Sequence, residues 1–92
     1  MKRFTERQKD TYAVAEESII HEENSYTGEA VNRLAQFENI FENLVKSQEL
    51  TLSELEKLRA ADKTKTVHFR ELLTKKLTNS QMLLLFKSGG IE

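Results

Sequence analysis

The chain has 92 residues, of which 38% are hydrophobic and 32% charged, and its formal net charge is −1. The absence of cysteine excludes a disulfide framework, a Cys-ligated zinc site and a thiol nucleophile. The sequence has no proline and only three glycines, so it has few signals for turns or strand ends. This composition favours helix, and we expect an all-α protein.

The sequence contains no apolar run long enough for a secretory signal or a membrane span. The N-terminus begins with basic Lys2 and Arg3, but Gln8, Lys9 and Asp10 lie where a secretory signal has its apolar segment. A membrane-spanning helix needs about 20 mostly apolar residues, and no run approaches that length. We therefore expect a soluble, cytoplasmic protein without a membrane partner.

The first two predicted helices differ in the width of their apolar stripe. Thr5 precedes Gln8 by three residues, as in a capping box, and predicts a helix over about 6–21 with a thin stripe. Thr27 is a weaker N-cap for a second helix over about 28–47. The apolar residues of this second helix recur at steps of three and four. We expect it to be the centre of the fold.

Two further threonines mark helix starts in the second half of the chain. Thr51 and Thr78 each precede a Glu or Gln by three residues, and the leucine before each can pack as a hydrophobic staple. The last three predicted helices cover about 52–61, 65–77 and 79–87. The polar run at 62–66 leaves open whether the chain breaks or continues as helix there. Gly89 or Gly90 is the predicted C-cap of the last helix.

Together these elements predict a single all-α domain over 1–92, a small bundle of four or five helices. A chain of this length forms a core of only modest stability. A second copy can complete such a bundle, so we expect a homodimer or another self-associated form.

No group of residues has the spacing of a catalytic or metal site. Glu17 and His21 are spaced so that one helix face could present both to a metal, but no local motif completes a set of three or four ligands. Neither His21 nor His68 has a nucleophile and an acid near it in sequence. Paired carboxylates are common on charged helix faces and do not by themselves indicate catalysis. We expect no enzyme activity, no cofactor, no metal and no small-molecule substrate.

The charge is distributed unevenly: residues 1–50 carry a net −4 and residues 51–92 a net +3. A short capped helix, a polar run and a basic helix follow the outline of a helix-turn-helix, in which the second helix meets bases and phosphates. The candidate nucleic-acid-binding residues are Lys63, Lys65, His68, Arg70, Lys75 and Lys76. The alternative is a solvated basic face, because the turn lacks glycine and the sequence pI is about 6.1.

The segment at 82–86 is apolar on every side, so more than one of its faces must be covered. As a protein-interaction surface it would use Leu83, Leu84, Leu85 and Phe86. The same residues could instead fill the core of a single chain. The function that we predict is that of a small accessory or regulatory protein, which acts through helix-mediated contact with a protein partner or with itself. Nucleic-acid binding is the alternative prediction.

Overall fold

The computed structural model describes residues 1–92, and it contains four short strands and two long helices. The strands are β1 (Thr5–Gln8), β2 (Thr11–Val14), β3 (Ile20–His21) and β4 (Tyr26–Thr27), and a 3-10 turn covers Glu16–Ser18. The helices are α1 (Glu29–Ala60) and α2 (Val67–Ser88). The chain divides into two compact units, Met1–Asn39 and Ile40–Glu92, and α1 contributes residues to both. Neither helix has the length and apolar character that a membrane crossing requires.

The predicted all-α bundle of four or five helices is wrong, and the first predicted helix is the clearest reason. The segment 6–21 forms the antiparallel hairpin β1–β2, with Thr5 opposite Val14, followed by the 3-10 turn and β3. Threonine, tyrosine and valine favour strands, and two-residue hairpin loops use positive φ, which Lys9 adopts at 53°. Thr5 therefore begins a strand instead of capping a helix.

The predicted helices 28–47 and 52–61 are a single helix, α1. Thr51 lies in the interior of this helix, only 2% exposed, where its hydroxyl donates to the carbonyl of Ser47 at 2.8 Å. A threonine hydroxyl bonded to the carbonyl four residues earlier is satisfied within a helix and needs no helix end. The capping box at Thr51 therefore does not mark a boundary.

The predicted helices 65–77 and 79–87 are likewise a single helix, α2. Asn79 is 5% exposed, and its Nδ2 donates to Ser47 Oγ on α1 at 3.2 Å. This cross-helix bond satisfies the amide without a break in α2. The predicted C-cap is confirmed, since Gly90 has a φ of 94° and the Ile91 amide donates to the Phe86 carbonyl at 2.9 Å.

The chain breaks between the two helices, which settles the question left open at 62–66. Asp62 takes a left-handed φ of 56°, and its amide donates to the carbonyl of Arg59 at 3.1 Å. Thr66 is the N-cap of α2, because its hydroxyl accepts from the Phe69 amide at 3.1 Å. The turn at 61–66 therefore separates two helices of 32 and 22 residues.

Within the unit Ile40–Glu92 the two helices pack antiparallel in one register. The ring centroids of Phe41 and Phe86 lie 5.3 Å apart, and the Arg59 guanidinium lies 5.5 Å from the centroid of Phe69. The residues that face each other follow the three-and-four spacing of a coiled coil, and we call this contact the hairpin seam. The hairpin seam comprises Phe41, Leu44, Gln48, Thr51, Leu55 and Leu58 of α1, with Phe69, Leu72, Lys76, Asn79, Leu83 and Phe86 of α2. Each of these residues is buried or half-buried.

Within the unit Met1–Asn39, Gly28 connects β4 to α1 at a close approach of two backbone segments. Its φ is 120°, and a Cβ there would lie 2.5 Å from the carbonyl oxygen of Ser18. Ser18 is buried, and its hydroxyl donates to the carbonyl of Ala15 at 2.7 Å. Only glycine fits at this position without a shift of the backbone.

Candidate functional site

The middle of the hairpin seam is polar. Gln48 Nε2 donates to the carbonyl of Lys76 at 3.1 Å and to Ser80 Oγ at 2.9 Å, while Gln48 Oε1 is buried and has no hydrogen-bond partner. An unpaired buried acceptor costs about 1–3 kcal/mol. Polar residues at such positions specify the register of a helix pair at a cost in stability. Gln48, with Asn79 beside it, therefore favours one alignment of α1 and α2.

Few apolar side chains are buried, and many large ones are exposed. The buried apolar residues are Leu44, Leu55 and Phe69. On α2, Leu77 is 63% exposed and Leu84 is 62% exposed. A hairpin of two helices covers one stripe on each helix, so the remaining apolar residues face outwards.

The predicted interaction residues, 83–86, are divided between the hairpin seam and the surface. Leu83 and Phe86 are half-buried seam residues. Leu84 lies between them and is exposed, and Leu85 is 72% exposed. Leu83 and Phe86 therefore contribute to the contact with α1, whereas Leu84 and Leu85 remain exposed.

One side of the hairpin collects aliphatic residues from both helices, and we call it the leucine face. It consists of Val45, Leu52, Leu73, Leu77 and Leu84. Each of these residues directly follows a seam residue, so each is rotated from the seam in the same sense about its helix axis. Because the helices run antiparallel, this rotation brings both sets to the same side of the hairpin.

The leucine face has charged margins. Glu42, Glu49 and Glu56 are exposed and repeat every seven residues along the α1 margin. The α2 side has exposed Arg70 near the turn and exposed Lys87 near the helix end. Each of these charged residues also directly follows a seam residue. Once the seam is known, sequence spacing is therefore enough to locate this surface.

The six predicted nucleic-acid-binding residues do not share one face. Lys63 and Lys65 lie in the turn, and Lys76 is half-buried in the hairpin seam. The other three are exposed on α2, where His68 and Lys75 are seven residues apart on one side and Arg70 is on the other. The helices also pack antiparallel, whereas those of a helix-turn-helix cross at about 90–120°. Nucleic-acid binding by this segment stays a prediction.

The unit Met1–Asn39 has an apolar cavity that the sequence analysis did not find. It is open to solvent, has a volume of about 500 Å³ and is lined largely by apolar side chains, among them Phe4, Val31 and Phe37. The Arg33 guanidinium lies 5.0 Å from the Phe4 ring centroid, and Arg33 donates to the carbonyl of Lys2 at 2.8 Å. No local sequence signal marks this cavity, because it forms between separated segments.

The side chains considered as metal ligands are not gathered into a site. His21 stacks on Tyr26, with ring centroids 4.8 Å apart, and no group of three or more His, Cys, Asp or Glu side chains could hold a metal ion. Comparisons of the chain with protein-family models, curated proteins and solved structures found no match.

We predict that Gln48→Leu raises the free energy of unfolding by about 1 kcal/mol, because it removes a buried acceptor that has no partner. The substitution also removes the amide that donates to the Lys76 carbonyl and to Ser80 Oγ. Neither acceptor is left without a partner, because the carbonyl lies within α2 and Ser80 is exposed to water. Urea unfolding followed by circular dichroism at one protein concentration measures the change. Gln48→Glu is the control: it places a carboxylate in the seam and should be destabilising. Equal destabilisation by both variants would contradict this account of the polar layer.

Proposed function

We propose that this protein is a non-enzymatic interaction module that associates with itself through its helical hairpin. The observation that carries the proposal is the exposure of Leu77 and Leu84 on the leucine face, in a chain that buries only Leu44, Leu55 and Phe69 among its apolar residues. Large exposed apolar patches mark interaction sites in folded proteins. An accessory or regulatory role suits a module whose working part is a contact surface.

The expected strength of association follows from the apolar area that remains to be buried. Complete burial of a leucine contributes about 1.5–3 kcal/mol, so a leucine already one-third buried gains about 1–2 kcal/mol more. A two-fold interface uses Leu77 and Leu84 twice, and also Leu52, which is more than half buried and gains less, so the gross gain is about 5–10 kcal/mol. Association also loses rotational and translational freedom. We therefore expect dissociation in the micromolar range or above, where about 8 kcal/mol corresponds to a Kd of 1 μM.

We place the module in the cytoplasm, because a chain without cysteine needs no oxidising compartment to fold. The partner that we propose first is a further copy of the chain, and another helical protein is the alternative. Both would use exposed residues of the hairpin and neither requires a cofactor.

We predict that the double variant Leu77→Ser/Leu84→Ser weakens association at least tenfold while retaining its helix content, because both side chains lie outside the hairpin seam. Light scattering over a concentration series from about 10 to 500 μM, with far-UV circular dichroism, measures both properties. Gln81→Ser, at an exposed position on the same helix, is the matched control. Phe86→Ser is less informative, since it removes the contact with Phe41. A wild-type chain that stays monomeric throughout would contradict the proposal.

Nucleic-acid binding is a second candidate, which one observation favours. Lys63, Lys65, His68 and Arg70 are exposed at the turn end of the hairpin, where Lys57 and Arg59 of α1 are exposed as well. Lys57 and Arg59 are not among the residues predicted from the sequence to bind nucleic acid. Basic residues gathered at one end of a molecule can neutralise phosphates.

For this candidate we predict that Lys63→Glu/Lys65→Glu abolishes binding to a mixed-sequence duplex, and that wild-type binding weakens steeply as salt increases. Fluorescence anisotropy at low and moderate salt measures both effects. Lys46→Glu, an exposed reversal on α1 distant in sequence from the turn, is the matched control for net charge. The absence of wild-type binding at low salt, or equal losses in both variants, would exclude these residues as a nucleic-acid site.

A further inference from the structure

We propose that the leucine face binds a second copy of the chain in one arrangement, in which α1 of each copy lies along α2 of the other. This inference rests on the proposed self-association and adds its geometry. The product is a pair of stacked helical hairpins in which neighbouring helices are antiparallel. The arrangement follows from the leucine face together with its charged margins.

The area of the leucine face fits a dimer contact. The α1 part of the hairpin seam extends over about 25 Å, at 1.5 Å per residue, and two helices side by side are about 20 Å wide. Their flat footprint is therefore about 500 Å², and the accessible surface of a ridged helical face is larger. A standard interface buries about 800 Å² on each partner.

A two-fold axis can stack two leucine faces in two ways, and the glutamates of the α1 margin distinguish between them. An axis across the helices puts α1 on α1, so that Glu49 opposes Glu49 of the other copy and Glu42 opposes its Glu56. Like charges in such close rows are destabilising. An axis parallel to the helices puts α1 on α2 instead, which separates the two acidic rows.

One basic residue of the α2 margin, Arg70, is placed to pair with the acidic row of the other copy. The seam register places Glu56 and Arg70 at nearly the same height along the hairpin, so the parallel axis brings each Glu56 towards Arg70 of the second copy. Further from the turn, Leu77 lies at the same height along the hairpin as Glu49, and Leu84 at the same height as Glu42. The parallel axis therefore brings Glu49 and Glu42 of one copy towards Leu77 and Leu84 of the other. The methylene groups of these glutamates can cover the leucines while their carboxylates stay in water. Charge therefore favours the parallel axis.

Disulfide formation between single-cysteine variants tests this arrangement, because the natural chain has no cysteine. We expect a mixture of Glu56→Cys and Arg70→Cys chains to form the mixed disulfide in preference to either like pair when the mixture is oxidised at a concentration where the wild type is dimeric. A mixture of Glu42→Cys and Glu56→Cys chains is the matched control, since it reports the α1-on-α1 arrangement. Mass spectrometry under non-reducing conditions identifies the products.

Charge exchange provides a second readout that requires no cysteine. Glu56→Arg and Arg70→Glu should each raise the Kd of the dimer threefold to tenfold, and the double variant should restore it. A dimer that forms the 42–56 disulfide, or that forms no 56–70 disulfide and gains nothing from the double exchange, overturns this arrangement and leaves self-association standing. A chain that is monomeric at every concentration overturns both proposals. The leucine face would then be a contact surface for a different protein.

Discussion

The antiparallel contact between α1 and α2 is the constraint on which the unit Ile40–Glu92 depends. The hairpin seam contains its few buried apolar residues, Leu44, Leu55 and Phe69, together with the contact between Phe41 and Phe86. Each helix covers only one stripe of the other. The apolar side chains in that stripe are buried, and those elsewhere on the two helices remain exposed. The polar layer at Gln48 and Asn79 lowers the apolar burial further but favours one alignment of the helices.

The sequence predicted those parts of the fold that depend on local chemistry. The periodic stripe over 28–47 lies in α1, and α2 ends at its C-cap Gly89, followed by the left-handed Gly90. The capping boxes at Thr51 and Thr78 failed because nearby polar groups are satisfied inside continuous helices, with Thr51 bonded to Ser47 and Asn79 bonded across the seam. Whether a polar residue ends a helix or lies within one depends on its partner, which local sequence does not contain.

The N-terminal region shows a different limit of sequence reasoning. Residues 6–21 have a thin apolar stripe that is compatible with a helix, yet they form two strands, a 3-10 turn and a third strand. In β2, Thr11 and Tyr12 are exposed whereas Ala13 and Val14 are half-buried, so burial does not alternate along the strand. The burial of the residues at 83–86 was likewise predictable only in part. Leu84 and Leu85 are on the surface, but Leu83 and Phe86 belong to the seam, and only the helix register separates the two pairs.

We expect the hairpin seam to be too small to hold these helices alone, so that a second copy supplies the remaining apolar contact. The most direct test is thermal unfolding at about 10 μM and about 500 μM, followed by far-UV circular dichroism, because association that stabilises the folded chain makes Tm depend on concentration. We expect Tm to rise by several degrees at the higher concentration. The same Tm at both concentrations, with full helix content at the lower one, would contradict the account and show that a single chain is a stable fold by itself.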